Sequence, residues 1–426
     1  MLTRLQRCNS NYKERNDRRK RRRSSRRIEA MSESGSEQDR LPSTKRVFLY
    51  FLVLGFINIG GPVAQITMMF NHMVEKEHWL SKERFTRIMA FCHLLPGPEA
   101  LQLAIYVGCL KRGIVGGLFA GITFIVPGAL TMIGLSYLYV SYGNLPQVKD
   151  LLLILKPAVL GIIVAGIIKL GRAAVKTAIL AAIVVVAVIA MVAGRVDFLI
   201  VLLGAGLMNL AYIELRRRRE PRKANTPAPT MLLGPIALVS AKAPMAAKAN
   251  WLAISWLFLK TGLFSFGGAY ASLIFLERGA VEHFHWLSGG QLLDGVALSV
   301  ATPGPFMLFT TFVGYLAKGT LGAIVATVLV FLPSFVLVIL GTRYLERVRD
   351  QPQIQHFLAG ASAAVVGVII VVSWKLVPDA LSGLWSYAIA ATAFISIAWW
   401  KVDVAKIAIA AMLVGGGYAL THAFFR

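Results

Sequence analysis

The fold class this sequence predicts is an all-α polytopic membrane protein made of two homologous repeats, inverted relative to one another. Three observations predict it: apolar runs of membrane-spanning length, an ordered set of motifs that occurs twice, and basic clusters that fall out of phase between the two copies. Each repeat carries about six apolar segments, with broken or re-entrant helices among them.

The apolar runs come first. Hydrophobic residues make up 56% of the chain and charged residues only 15%, a balance that a soluble domain could not hide from water. Runs at 47–70, 116–139, 151–170, 176–194 and 198–215 are followed by runs at 251–276, 321–340, 357–375, 384–400 and 404–420. Most have the ~18–25 residues that cross a hydrocarbon core as a helix. Lipid offers no water to an unpaired backbone group, so each reads as helical. The net charge of +24 is concentrated in RRKRRRSSRR (18–27) and RRRREPRK (216–223). Neither interleaves aromatic residues as a base-stacking surface does, which argues against nucleic acid. Both flank apolar runs and read as cytoplasmic retention signals, with anionic-lipid contact as an added effect. The leader has no apolar signal-peptide core, and Met31 offers a second start. Cys8, Cys92 and Cys109 are too scattered for a disulfide framework, and the seven histidines form no HExxH-type set. No cofactor and no metal site are expected.

The repeats are read from spacing. Gly60-Gly61 recurs as Gly267-Gly268, His78-Trp79-Leu80-Ser81 as His285-Trp286-Leu287-Ser288, and Pro96-Gly97-Pro98 as Pro303-Gly304-Pro305, each 207 residues later. Beyond a one-residue deletion the spacing is 206, pairing Pro127 with Pro333, Gly161 with Gly367, Lys169 with Lys375 and Asp197 with Asp403. An ordered series of this length means duplication. The chain accordingly divides into a basic, disordered cytoplasmic leader (1–45), a first repeat (46–216), a basic linker (217–250) and a second repeat (251–426).

Orientation follows from charge. Basic residues collect at Lys111-Arg112, at Lys169, Arg172 and Lys176, and at 216–223 in the first half. In the second they collect at Arg343, Arg347 and Arg349, and at Lys401 and Lys406. These positions match charge-poor turns of the first half, so the positive-inside rule turns one half upside down. The odd number of crossings that inversion needs is supplied either by the linker stretch 231–248 or by a segment near Pro96 or Pro303 that enters and leaves on one side. Inverted repeats place a secondary transporter's substrate near the midplane.

The Pro-Gly-Pro elements interrupt the segments 91–108 and 298–314. Proline lacks an amide hydrogen and clashes with the preceding turn, so each segment breaks into two short helices. Pro98 and Pro305 suit the first turn of the second short helix, whose N-terminus attracts an anion; a packing kink is the alternative. Gly60-Gly61 and Gly267-Gly268 allow close backbone approach, either to an ion or to a neighbouring helix. Asn58 and Ser265 add a polar side chain two residues earlier. Glu99, whose repeat equivalent is Phe306, either decorates a helix start or exchanges protons. Lys156 and Lys260 either pair with an anion or snorkel. His78-Trp79 and His285-Trp286 read as interfacial anchors, and Ser288 with Gln291 as a capping box that Arg84 leaves incomplete after Ser81.

FxxxGxxxxGGP (51–62), the HWLS connector, LLPGPE (94–99), and the second FxFGG and TPGP set together resemble the chromate ion transporter family of the long-chain, two-domain type, over roughly 47–420. The resemblance implies a multi-pass plasma (inner) membrane protein that exports chromate and confers resistance to it; the basic leader is what puts the N-terminus in the cytoplasm. It implies a transporter and not an enzyme; no GxSG serine, paired intramembrane aspartates or paired helix histidines argue for the latter. Chromate is a tetrahedral dianion close to sulfate, so sulfate or another oxyanion is the alternative substrate. The expected partners are that anion, the lipid bilayer and, as one candidate assembly, a second copy of the chain. The candidate binding residues are Asn58, Gly60, Gly61, Pro96, Gly97, Pro98 and Glu99 in the first half, with Ser265, Gly267, Gly268, Thr302, Pro303, Gly304 and Pro305 in the second.

Overall fold

The structure, a computed structural model, describes residues 43–59, 62–93, 95–193, 196–219, 250–266, 270–349 and 351–424. The leader to residue 42, most of the linker, Gly60-Gly61 and Gly267-Gly268 lie outside the described residues, and so does the linker stretch 231–248. The first half contains α1 (Thr44–Ile57), α2 (Pro62–Phe70), a π-helical turn (Asn71–Lys76), α3 (Lys82–Cys92), α4 (Glu99–Tyr142), α5 (Pro146–Ala174), α6 (Ala178–Val192) and α7 (Phe198–Arg219). The second repeats it: α8 (Trp251–Phe264), α9 (Ala271–Leu276), a π-helical turn (Glu277–His283), α10 (Gly289–Ala301), a 3-10 turn (Phe306–Leu308), α11 (Phe309–Arg349), α12 (Pro352–Ala380), α13 (Leu384–Ala398) and α14 (Val404–Phe424).

The duplication extends to individual backbone torsions. His78 and His285 both have φ near +50°, Gly97 and Gly304 stand at +111° and +107°, and Gly113 and Gly319 at +60° and +63°. Pro146 and Pro352 open their helices in the same way, where proline's missing N–H is not needed. Ser288 forms a complete capping box with Gln291, whereas Ser81 only accepts from the Arg84 amide.

Six described helical stretches are long and apolar enough to cross a membrane, and α6, α8 and α13 are shorter apolar helices. Their outward faces carry large apolar side chains such as Leu321 (64% exposed), Leu413 (72%) and Trp385 (84%), which only lipid accommodates at such density. Two expected spans are not single helices. The run 47–70 divides between α1 and α2, and 251–276 between α8 and α9. Adjacent glycines cost about 1 kcal/mol each in a helix, and in the first half Pro62 follows them.

The two longest helices are themselves folded back. Backbone torsions leave the helical region at Arg112-Gly113 in α4 and at Lys318-Gly319 in α11. Gly108 and Gly116 would lie about 12 Å apart along a straight helix, yet a Cβ on either would collide with the other's carbonyl. Gly314 and Gly322 face each other in the same way. Each long helix is therefore a hairpin: a short limb running from the break, a sharp reversal, and a long limb. On the near side of each break the packing is again side by side. The Phe91 and Tyr106 rings are 5.6 Å apart, and Gly295 lies under Phe312.

Between halves, equivalent elements meet equivalent elements. α4 packs on α11 and α5 on α12; α5 also takes α13 and α14, while α12 takes α6 and α7. Such reciprocal pairing is what a two-fold arrangement of the repeats requires. One anchoring expectation is overturned. Trp79 is 1% exposed, set edge-on to Tyr50 and His72. The π-helical turn folds the connector inward, and the Trp79 amide donates to the Met73 carbonyl as Trp286 does to Ala280. A residue so enclosed by protein cannot sit among lipid headgroups.

Candidate functional site

The Pro-Gly-Pro breaks are tied across the repeats. The Gly97 amide donates to the Ser265 carbonyl at 3.0 Å, and the Gly304 amide donates to the Asn58 carbonyl at 2.9 Å. Asn58 and Ser265 are the C-caps of α1 and α8, so each half's first helix ends on the other half's break. Sequence spacing suggested open amides at the two glycines; in the structure both are used. A buried N–H in an apolar interior has to find an acceptor, and the nearest helix end provides one.

Each break also rests on the opposite half's long hairpin. A Cβ on Gly97 would overlap the Ser334 hydroxyl of α11, and a Cβ on Gly128 of α4 would overlap the Pro303 carbonyl. Gln65 donates from Nε2 to the Gly304 carbonyl at 2.8 Å, and Gln102 from Nε2 to the Pro96 carbonyl at 2.7 Å. Ser299 donates to the Phe306 carbonyl at 2.6 Å, and the Thr302 hydroxyl to Leu298. The predicted residues thus gather into two related clusters. Asn58, Thr302, Pro303, Gly304 and Pro305 meet Gln65 and Gly128; Ser265, Pro96, Gly97 and Pro98 meet Gln102 and Ser334. Gln65, Gln102, Gly128 and Ser334 were not singled out from the sequence. Gly128 and Ser334 directly follow the paired prolines Pro127 and Pro333, a register that marked the place without its neighbours.

Several polar groups in these clusters remain open. Asn58 is 0% exposed, and neither atom of its side-chain amide has a hydrogen-bonding partner among the described residues. Gln102 Oε1 and Ser334 Oγ are likewise buried and unpartnered. Leaving such groups unmet costs about 1–3 kcal/mol each. Of these, the Asn58 carboxamide nitrogen and the Ser334 hydroxyl can turn N–H and O–H donors to an anion without supplying a fixed charge, whereas Gln102 Oε1 only accepts, its Nε2 being given to Pro96.

Charged groups stand apart from this. Glu99 Oε1 lies 2.8 Å from His93 Nδ1 at the rim of the first break. Lys156 faces Asp294 at 3.1 Å, Lys260 lies 3.9 Å from Asp197, and Lys375 is shared by Glu277 and Glu282. Both in-span lysines therefore have carboxylate partners. Among the described residues no three His, Cys, Asp or Glu side chains converge as metal ligands.

Comparison with known sequences gives one consistent result. The sequence profile described as chromate transporter matches residues 45–210 and again 252–419, the two halves found above. The chain is 36% identical over 388 residues to a chromate transport protein of Pseudomonas aeruginosa, covering 88% of this chain and 92% of the relative. It is 33% identical to a chromate transport protein of Cupriavidus metallidurans, covering 76% and 80%. It is 31% identical to a probable chromate transport protein of Synechococcus elongatus, covering 84% and 91%. No solved structure matches the chain significantly.

Proposed function

The chain belongs to the chromate transporter family, and from that premise we propose that it exports chromate from the cytoplasm across the plasma membrane, binding the anion at the paired breaks between oppositely inserted repeats. The observation that carries the site is the fully buried Asn58 carboxamide, unpartnered among the described residues beside a break whose glycine N–H is already taken. A tetrahedral dianion needs several donors from different directions, and the two clusters supply them from both halves. Because no lysine is fixed there, release is not held back by a permanent counter-ion. Gly60, Gly61, Gly267 and Gly268 adjoin the clusters in sequence and belong to the same proposal, as does Glu99 at its rim.

Asn58→Leu tests the site, because the two roles for Asn58 predict opposite pairs of results. If the amide serves packing alone, removing an unmet polar group stabilises the protein by about 1–3 kcal/mol and leaves transport intact. If it binds the anion, the stabilisation remains while labelled chromate uptake into inside-out vesicles falls at least roughly tenfold, the equivalent of about 1.4 kcal/mol. Labelled sulfate in the same vesicles reports selectivity. Unchanged chromate uptake by a well-expressed Asn58→Leu protein would move the site elsewhere.

The opposed orientation rests on the basic clusters, and the break geometry supports re-entrant entry. The limbs on either side of each break lie side by side, so both can return to the same membrane face. Single cysteines at positions 172 and 347 are expected to resist an impermeant thiol reagent in intact cells and to react in inside-out vesicles. Labelling at 347 from outside intact cells would remove the inversion.

A further inference from the structure

An ion pair is buried where the halves meet, away from the break clusters. Asp294, 3% exposed, lies on α10, the limb leading into the second break. Its Oδ2 accepts from the Tyr139 hydroxyl of α4 at 2.8 Å. Its Oδ1 faces Lys156 Nζ of α5 at 3.1 Å, but makes no aligned hydrogen bond. Asp379 of α12 lies in the same neighbourhood. A Cβ on Gly290 would stand 3.5 Å from Lys156 Nζ and 3.7 Å from Asp379 Oδ1. Side chains of two first-repeat helices, α4 and α5, thus meet one carboxylate of the second repeat. Among the described residues no charged side chain of α14 or of the turn Glu277–His283, which also pack on α10, is recorded in an ion pair or hydrogen bond with Asp294.

The repeat shows that the fold does not need this cluster. The positions equivalent to Asp294, Tyr139, Lys156 and Asp379 hold Arg87, Leu345, Ser362 and Ala173. Buried ion pairs add little to stability compared with apolar packing of the same volume. Ionisable groups at membrane depth are expensive and mark ion or proton pathways. Oδ1 has a lone pair that no aligned donor occupies, and Lys156 is 23% exposed, so protein does not seal the pair off completely.

We propose that Asp294 is the proton-coupling site of the transport cycle: Oδ1 takes up one proton from one side of the membrane and releases it to the other. The proton goes to the carboxylate alone, so the net charge of the pair rises by one when it binds and falls by one when it leaves. Tyr139 is a positioning residue that holds Oδ2 and leaves Oδ1 to titrate. Because Asp294 lies on the limb that ends at the second break, the change in charge acts on the element that carries the proposed anion site. The inference rests on the transport reading above.

The test uses inside-out vesicles containing the full chain, with labelled chromate and pH gradients of both signs. Wild-type initial rates are expected to differ between gradients, by up to about tenfold per pH unit, since the ratio of protonated to ionised carboxyl changes tenfold. Asp294→Asn is expected to abolish that difference while chromate exchange at equal concentrations and equal pH persists. If burying an unpaired lysine impairs folding, Asp294→Asn with Lys156→Gln removes both charges and should show the same flat response. Infrared spectra of purified wild-type protein should gain a carboxylic C=O band on acidification that Asp294→Asn lacks. A gradient response retained by the variants, or lost in Glu99→Gln instead, overturns the inference. So does chromate transport by wild type that ignores the gradients, with the transport reading left standing. If wild type moves no chromate at all, the transport reading fails, and the infrared band still decides whether Asp294 takes a proton.

Discussion

Gly97→Ala is expected to cut chromate transport at least roughly tenfold, and Ser334→Gly in the same chain to restore part of the loss. Two separate costs meet at this position. The backbone stands at φ +111°, a conformation glycine adopts freely and a side chain only at about 1–3 kcal/mol. The new methyl would also overlap the Ser334 hydroxyl, and overpacking of this kind costs about 1–3 kcal/mol more. Ser334→Gly removes the second cost alone, so recovery should be partial. That choice follows the fold itself, because the first half carries Gly128 at the position equivalent to Ser334. Gly304→Ala carries the same torsional cost, its φ being +107°, but the closest atom to its new methyl is the flexible end of Leu308, so its loss should be the smaller of the two. Vesicle transport and the thermal midpoint of purified protein would check both. Wild-type rates in Gly97→Ala would mean that the break tolerates another geometry and does not position a site.

The lettering of the sequence showed the breaks because proline and glycine act locally. Pro-Gly-Pro interrupts a helix wherever it falls, and its recurrence 207 residues later identified both places. Lys111-Arg112 likewise marked the end of one apolar run before the next, where the hairpin reverses. What the breaks touch was not legible. The clasp between Gly97 and Ser265 joins backbone groups, which carry no residue identity. Asp294 was missed although Lys156 stood out, since a lysine inside an apolar run is conspicuous and an aspartate in GGQLLDGVA reads as the start of a segment. Their pairing depends on α5 of one half lying against α10 of the other. The runs 47–70 and 251–276 looked continuous because hydropathy averages over a glycine pair, yet the described helices end at Ile57 and Phe264 and resume at Pro62 and Ala271.

The reversal in each long hairpin makes the second large prediction. Gly108→Val is expected to lower membrane-inserted, folded protein at least roughly tenfold, and Gly314→Val to do the same. Both positions have ordinary helical torsions, so the cost is one of space. A Cβ on Gly108 would collide with the Gly116 carbonyl and stand 2.8 Å from the Ala120 Cβ; one on Gly314 would stand 2.5 Å from both the Gly322 carbonyl and the Ala326 Cβ. Small residues at helix crossings in membranes let backbones approach, since lipid offers no hydrophobic force to drive the helices together. Pushing the limbs apart would carry the short limb, and the break at its end, off the opposite half. Ala120→Gly should not rescue Gly108→Val, because the main obstacle is a backbone carbonyl that no substitution removes; this separates the site from Gly97, where a side chain is in the way. Gly134→Ala on the same hairpin, with nothing within 4 Å of the added Cβ, is the control and should express and transport as wild type. Size-exclusion profiles of detergent-extracted protein read the outcome directly. A monodisperse Gly108→Val protein at wild-type levels would mean that the two limbs do not need this contact to hold the break in place.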